Sequence, residues 1–285
     1  MCTRFVWSSA GSPGSGNVMV GRSMDWFEET RTVLAVRPRG AVRDSAPGDP
    51  GSFQWTSEYG SVVSLMYGEI AVDGVNEAGF QVSGLYLAES DYGTRDTSRP
   101  GLALAAAIQC LLDRFADVGA AVTWLRESNV QIIPLDIGGK PGTGHLALAD
   151  AHGDSAIVEF VAGALAVHHG SEYRVMANSP LYEEQLRLEE RYAGLGGDAP
   201  LPGGTDSPDR FARAAFYSAR LPQTTSAREA AAYAFSVIRN ASAPLALLIP
   251  CARTCRPPAG ALSRTSPRGA TSSSRRSTRT SSGSS

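Results

Sequence analysis

Cys2-Thr3-Arg4-Phe5-Val6-Trp7, then Val18-Met19-Val20-Gly21-Arg22-Ser23-Met24-Asp25-Trp26, is the stretch whose reading matters most. Two short apolar runs around a loop rich in Gly, Ser and Pro predict two strands. The cysteine stands at position 2. Methionine aminopeptidase removes Met1 when the next side chain is small, as cysteine is. The new terminus then carries both a thiol and a free α-amine. A thiol is a good nucleophile only as thiolate, so it needs a base or a lowered pKa. An α-amine titrates near pH 7.7–8.0, so part of it is neutral in the cell and can accept that proton. A Met-Cys start is commonplace by itself, and its meaning depends on the residues around it.

The bulk properties suit a soluble globular protein. The chain has 285 residues, 42% hydrophobic and 19% charged, enough for a sizeable core. No apolar run reaches the roughly 18–20 residues that span a bilayer, so no membrane partner is expected. The N-terminus lacks a basic stretch followed by an apolar one, and a cytoplasmic location is expected. Seven arginines and no acid follow residue 250; without them the chain has 19 basic against 28 acidic residues. An acidic body argues against nucleic acid as a partner. Cys110 falls in the apolar helical run 105–112 and reads as a buried, inert thiol.

Strands are predicted at 4–7, 18–22, 32–36, 61–67 and 79–87, with Asp73-Gly74 as a turn signal before the last. A helix is predicted from about Gly101 to Asp117 and a second from Val118 to Glu127. Strands return at 145–149, 155–160, 164–167 and 173–178, with Gly153-Asp154 as a hairpin turn. Helices close the pattern at 181–192, 208–219 and 226–239. This order suggests sheets packed between helical layers.

Further motifs follow Cys2 in order. They are Asp73-Gly74-Val75-Asn76-Glu77-Ala78-Gly79, Asp154-Ser155-Ala156-Ile157-Val158-Glu159, Val175-Met176-Ala177-Asn178-Ser179-Pro180, Asp209-Arg210-Phe211-Ala212-Arg213 and Phe235-Ser236-Val237-Ile238-Arg239-Asn240-Ala241. Together with Cys2 and Gly21–Trp26, this succession resembles the choloylglycine hydrolase family of bile salt hydrolases and penicillin V acylases. It spans residues 2–245, and its wording is nearest the penicillin-acylase-like branch of Gram-negative bacteria. Those relatives usually carry an export signal, and none is expected here. The resemblance implies an α+β fold, a four-layer αββα sandwich of the N-terminal-nucleophile type. It implies hydrolysis of a linear, non-peptide C–N amide through a thioester on Cys2, with a small-molecule amide as partner and no metal or organic cofactor. A homo-oligomer, a tetramer, is expected of an intact chain.

By the same resemblance Arg22 and Asp25 lie beside Cys2. A cation near the sulfur favours thiolate, and a carboxylate can hold the protonated amine. Asn178 would aim its amide N–H at the oxyanion, Asn76 would complete that hole, and Arg210 would be the second cation. Met24, Trp26 and Tyr86 would form an apolar acyl pocket, and Ile132–Leu135 part of an entrance loop. Each residue has a plainer alternative. Arg22 and Asp25 could be a surface pair, Asn76 a turn residue, and Asn178 a helix cap. Arg213 could be solvated or structural, and the pocket residues could simply be core.

After Pro244-Leu245 the resemblance stops. The family would continue into a Ser-Thr-Arg-Trp-Arg-Thr segment and a closing strand rich in Tyr and Phe, but here Ser, Thr and Arg take over. Back-translation in GC-rich codons offers a cause. The frame one nucleotide earlier can spell Pro-Ser-Thr-Arg-Trp-Arg-Thr across Cys255–Leu262. Across Thr271–Ser284 it can spell Tyr-Phe-Phe-Glu-Ser-Ser-Ile-Asp-Pro-Asn-Val-Phe-Trp-Val. Residues 1–246 are therefore expected to be the hydrolase domain and 247–285 an aberrant, disordered tail that leaves the closing strands missing. The pair Cys251/Cys255 then means nothing. Two rivals stay open: an inactive truncated family member, and a binding protein whose basic tail contacts nucleic acid.

Overall fold

A computed structural model describes residues 1–9, 17–26, 29–46, 51–136, 141–192, 194–195 and 200–243. The expected change of frame after about residue 246, with Cys251 and Cys255, lies outside the described residues. Sixteen strands appear among them. These are β1 (Cys2–Ser8), β2 (Val18–Met24), β3 (Val33–Arg37), β4 (Val42–Asp44), β5 (Gln54–Thr56), β6 (Ser61–Met66), β7 (Ile70–Asn76), β8 (Gln81–Leu85), β9 (Gly101–Ala103), β10 (Gln131–Ile133), β11 (Leu135–Asp136), β12 (Pro141–Gly142), β13 (His145–Ala149), β14 (Ser155–Val161), β15 (Ala164–His169) and β16 (Val175–Met176). The helices are α1 (Leu104–Arg114), α2 (Val118–Glu127), α3 (Tyr182–Glu189), α4 (Ser207–Ser218) and α5 (Ala227–Ala241).

Two sheets organise these elements. The larger has the order β15-β14-β13-β8-β7-β6-β3 and the smaller β16-β1-β2, all antiparallel. α1 and α2 cover one face of the large sheet, enclosing a core with Val63, Phe80, Leu111, Leu146 and Val158. On the small sheet, α4 and α5 cover the face turned away from the large one. The second core joins both sheets: Phe5 and Trp7 of β1 meet Leu85, Ala147 and Ile157 of the large sheet, with Phe211 and Val237 from the helices. β1 is thus covered on both faces. This explains its unbroken run of buried residues where a half-exposed strand would alternate. The result is the αββα sandwich.

The local sequence explains the elements and their limits. Asp117 and Ser226 cap α2 and α5 by accepting from Ala120 N and Glu229 N, and Pro208 sits in the first turn of α4. Asp73-Gly74 is not a turn, as expected from the sequence, but the middle of β7. A Cβ at Gly74 would lie 2.6 Å from Leu112 Cδ1 and 2.8 Å from Val63 Cγ1, so glycine is there to let α1 approach the sheet. The predicted start of α1 at Gly101 also moves. Gly101–Ala103 pairs in parallel with Gln131–Ile133, and Ile132 is a core residue rather than part of an entrance loop.

One face of the large sheet is only partly covered. Cross-strand partners point to the same side, so Leu34, Ser64, Asp73, Ser83, Ala147 and Ile157 share a face, as do Val36, Val62, Val75, Gln81 and Ala149. Ala147 and Ile157 are buried against the small sheet. Leu34 and Val36 are 76% and 79% exposed on the same face, and Val62 and Val75 are 43% and 44% exposed. Among the described residues the small sheet stops at β2, over β8 and its neighbours. A cavity of about 590 Å³ opens between β2 and this face, bounded by Val18, Val20, Arg22, Leu34, Val62 and Asp73 among others.

Candidate active site

Cys2 begins the central strand of the small sheet and is 3% exposed. Its neighbour across the sheet is Met24, so the β1–β2 hairpin brings Arg22, Met24 and Asp25 to one end of the sandwich. Arg22 Nη2 lies 3.9 Å from Cys2 Sγ and donates to the Gly84 carbonyl at 3.1 Å. The Arg22 guanidinium also lies 3.6 Å from Asp73 Oδ2, too long for a hydrogen bond but within ion-pair range. Asp73 is held in turn by Gln81 Nε2 at 2.9 Å and Ser83 Oγ at 2.9 Å. Gln81 accepts from the buried Arg4, whose guanidinium also reaches Ser155 Oγ and the Leu148 carbonyl. Burial lowers the Arg4 pKa to about 10. A polar chain therefore runs between the sheets from Arg4 to the sulfur of Cys2. Sequence reading missed Asp73 as part of it. The available signal was a carboxylate inside the apolar run Ile70-Ala71-Val72-Asp73-Gly74-Val75.

Asn178 and Arg210 approach Cys2 from the other side. The Cys2 backbone nitrogen donates to Asn178 Oδ1 at 2.6 Å. Arg210 Nη2 donates to the same oxygen at 2.9 Å. Arg210 Nη1 donates to the Cys2 carbonyl, and to Thr3 Oγ1 at 2.5 Å. Two donors on Oδ1 fix which end of the amide is oxygen. Asn178 Nδ2 then donates to the Tyr86 carbonyl at 2.7 Å. This geometry differs from the expected one: one amide hydrogen is already committed to Tyr86, and the oxygen faces the nitrogen of Cys2. In the chain as written, Met1 pairs with Asp25 through the Met1 amine to the Asp25 carbonyl and Asp25 N to Met1 O. The Asp25 carboxylate accepts from Ser23 Oγ at 3.2 Å and from Ala243 N at 3.1 Å.

Asn76 is not brought to this cluster. Its side chain accepts from Ala78 N and Phe80 N and donates to the Leu112 and Phe115 carbonyls, while its own N–H donates to Phe80 O. It closes the β7–β8 turn and ties it to the end of α1. Tyr86 follows the opposite end of β8, and five strand residues at about 3.3 Å each put Asn76 roughly 17 Å away. The turn-residue alternative is the one this geometry fits. Arg213 is likewise structural, donating to the carbonyls of Asn240, Pro202 and Gly204. Of the three expected pocket residues, Met24 packs on the second core and Tyr86 touches Asn178. Trp26 is half-buried just beyond Asp25. Burial pushes the Cys110 thiol up to about 12, in keeping with an inert core cysteine. Among the described residues no cluster of His, Cys, Asp or Glu could hold a metal ion, and no helix is long and apolar enough to cross a membrane.

Comparison with known proteins agrees with this architecture. The sequence profile of the linear amide C–N hydrolases, choloylglycine hydrolase family, matches residues 2–249. Penicillin V acylase of Pectobacterium atrosepticum is 37% identical over 270 residues, covering 87% of this chain and 71% of that protein. Bile salt hydrolase/transferase of Bifidobacterium longum is 26% identical, covering 78% and 75%. Among solved structures, penicillin V acylase from Agrobacterium tumefaciens superimposes with a TM-score of 0.79 at 44% identity, covering 87% of this chain and 75% of that one. A mutant of the conjugated bile acid hydrolase from Clostridium perfringens shares the fold, with a TM-score of 0.68 at 20% identity and coverage of 85% and 79%. The chain belongs to the linear amide C–N hydrolases of the choloylglycine hydrolase family.

Proposed function

We propose that the protein hydrolyses a linear amide through a thioester on Cys2, exposed as the N-terminal residue by removal of Met1. The observation that carries this reading is the setting of Cys2, with its nitrogen on Asn178 Oδ1 and its sulfur beside the Arg22 guanidinium. Loss of Met1 turns that nitrogen into the α-amine, already aimed at an acceptor. The α-amine takes the thiol proton, and Arg22 stabilises the thiolate. Sulfur attacks the amide carbon. The C–N bond breaks as the amine leaves with the proton from the α-ammonium. Water, deprotonated by the α-amine, then attacks the thioester, releasing the acid and regenerating the thiol. Arg210 holds the Cys2 carbonyl and Asn178 in register throughout. Asn178 and the Tyr86 segment it contacts face the developing oxyanion, Asp25 anchors the end of β2, and Met24, Trp26 and Tyr86 bound the acyl pocket.

Similarity favours a penicillin V-like amide over a conjugated bile salt, since the penicillin V acylases are 37% and 44% identical and the Bifidobacterium bile salt hydrolase 26%. N-acyl-homoserine lactones have the same bond type and complete the test set. Intact-mass measurement is expected to show loss of Met1, and a panel of the three substrate classes to show turnover of penicillin V. Cys2→Ala is expected to abolish it. Full activity in Cys2→Ala, or in protein that retains Met1, would refute the mechanism. A second reading, an inactive member of the same family, is favoured by the open face of the large sheet and is tested at the whole-molecule scale below.

A further inference from the structure

Two buried titratable residues outside the cluster reach its supports. His145 and Glu159 are 1% and 2% exposed. His145 opens β13 and Glu159 lies on the adjacent β14. His145 Nδ1 is 3.1 Å from Glu159 Oε1, and Nε2 is 2.9 Å from the Ala177 carbonyl. Each ring nitrogen therefore faces an oxygen, which ties the ring at two points. Glu159 also accepts from Tyr182 N, at 3.0 Å to each oxygen, in the first turn of α3. Across the sheet, His145 is the register partner of Leu85.

These contacts converge. Ala177 immediately precedes Asn178, and Leu85 immediately precedes Tyr86, whose carbonyl binds the Asn178 amide. His145 therefore grips one strand and one loop, each a residue upstream of the Asn178–Tyr86 contact. Glu159 fixes the far end of the same loop at Tyr182. We infer that His145 and Glu159 form a positioning pair that sets Asn178 against Cys2. Neither residue touches the reacting atoms. A misplacement on the order of 1 Å at a catalytic group can cost about 100-fold in rate, which is the scale of effect expected.

This inference rests on the proposed role of Cys2 and Asn178, and the test separates the two. His145→Ala, His145→Gln and Glu159→Gln are assayed with penicillin V, alongside circular dichroism and the rate of Cys2 alkylation by iodoacetamide. The expected result is a fall in kcat of about 10–100-fold for His145→Ala with KM changed less than about threefold. Cys2 alkylation should slow less than kcat falls, because Arg22 still faces the sulfur while only the hold of Asn178 on the Cys2 nitrogen is loosened. His145→Gln, which can still donate to the Ala177 carbonyl, should recover part of kcat. The double variant His145→Ala/Glu159→Gln should lose little more than His145→Ala alone. If His145→Ala does not fold, Glu159→Gln, which keeps the shape but removes the charge and one acceptor oxygen, carries the test. Wild-type kcat in a folded variant, or losses that add in the double variant, would overturn the pair. An active Cys2→Ala would instead overturn the underlying mechanism.

Discussion

Asn178 shows how much of a residue's role depends on which of its atoms meets which neighbour. The amide can donate twice and accept, and the structure spends the oxygen on Cys2 N and Arg210 and one hydrogen on Tyr86. On the proposed mechanism it therefore orients the nitrogen of the nucleophile as well as facing the oxyanion. Asn178→Ala is expected to lower kcat by roughly 10²–10³, the usual cost of one oxyanion donor, with a smaller change in KM. It should also destabilise the protein, because Cys2 N and Arg210 lose a buried acceptor, at about 1–3 kcal/mol per unsatisfied group. Steady-state kinetics with a urea melt on the same variant checks both. A change in KM alone would make Asn178 a substrate-binding residue, and unchanged stability would discount the hydrogen bonds to its oxygen.

At the scale of elements, β7 and β8 separate two asparagines to which the family resemblance gave one task. Asn76 is spent on the turn between the strands and on the end of α1. Asn76→Ala is expected to cost about 2–4 kcal/mol of stability, since four backbone groups, two of them in fully buried hydrogen bonds, lose their partner. The kcat of the folded fraction should stay within about twofold. A loss of kcat with stability intact would return Asn76 to the oxyanion site. The same strands show what was legible beforehand. β1, β2, β13, β14 and the last two long helices carried clear apolar runs, so their placement followed from residue type. β7 did not, because Asp73-Gly74 is the usual signature of a turn. Both residues are there for tertiary reasons, the glycine to admit Leu112 and the aspartate to face Arg22, Gln81 and Ser83. The ordered motifs located Cys2, Arg22, Asn178 and Arg210, and the fold brings these four together. His145 and Glu159 act through contacts made only after the sheets close, and no spacing in the sequence announces such contacts.

Among the described residues the small sheet is narrower than the large one, and the chain's direction indicates how the uncovered part would be closed. The last described residue, Ala243, donates its N–H to the Asp25 carboxylate at the end of β2. A strand starting there and running back beside β2 would be antiparallel to it. Its inward side chains would face Leu34, Val36, Val62 and Val75, which are exposed. Burying one such side chain fully is worth about 1.5–3 kcal/mol, so the open face holds several kcal/mol against the 5–15 kcal/mol typical of a domain. It also leaves Arg22 and Asp73 in the wall of a cavity. The chain beyond residue 250 has seven arginines, no acid and little apolar content, which is poor material for covering such a face. The frame one nucleotide earlier can spell segments with Trp, Tyr and Phe. We propose that residues 1–246 are the hydrolase domain and that the sequence beyond about 246 comes from a change of frame. The chain as written is expected to aggregate or melt early and to turn over substrate poorly, whereas the frame-restored protein should gain solubility, activity and the oligomeric state of an intact enzyme together. Expression of both forms, followed by thermal melts, size-exclusion chromatography and the penicillin V assay, checks this, and resequencing the gene checks the cause. A monodisperse, fully active chain as written would defeat the proposal. So would DNA whose earlier frame lacks the Trp-Arg-Thr and Tyr-Phe-Phe segments, and the arginine-rich tail would then need a role of its own, such as nucleic-acid contact with a steep salt dependence.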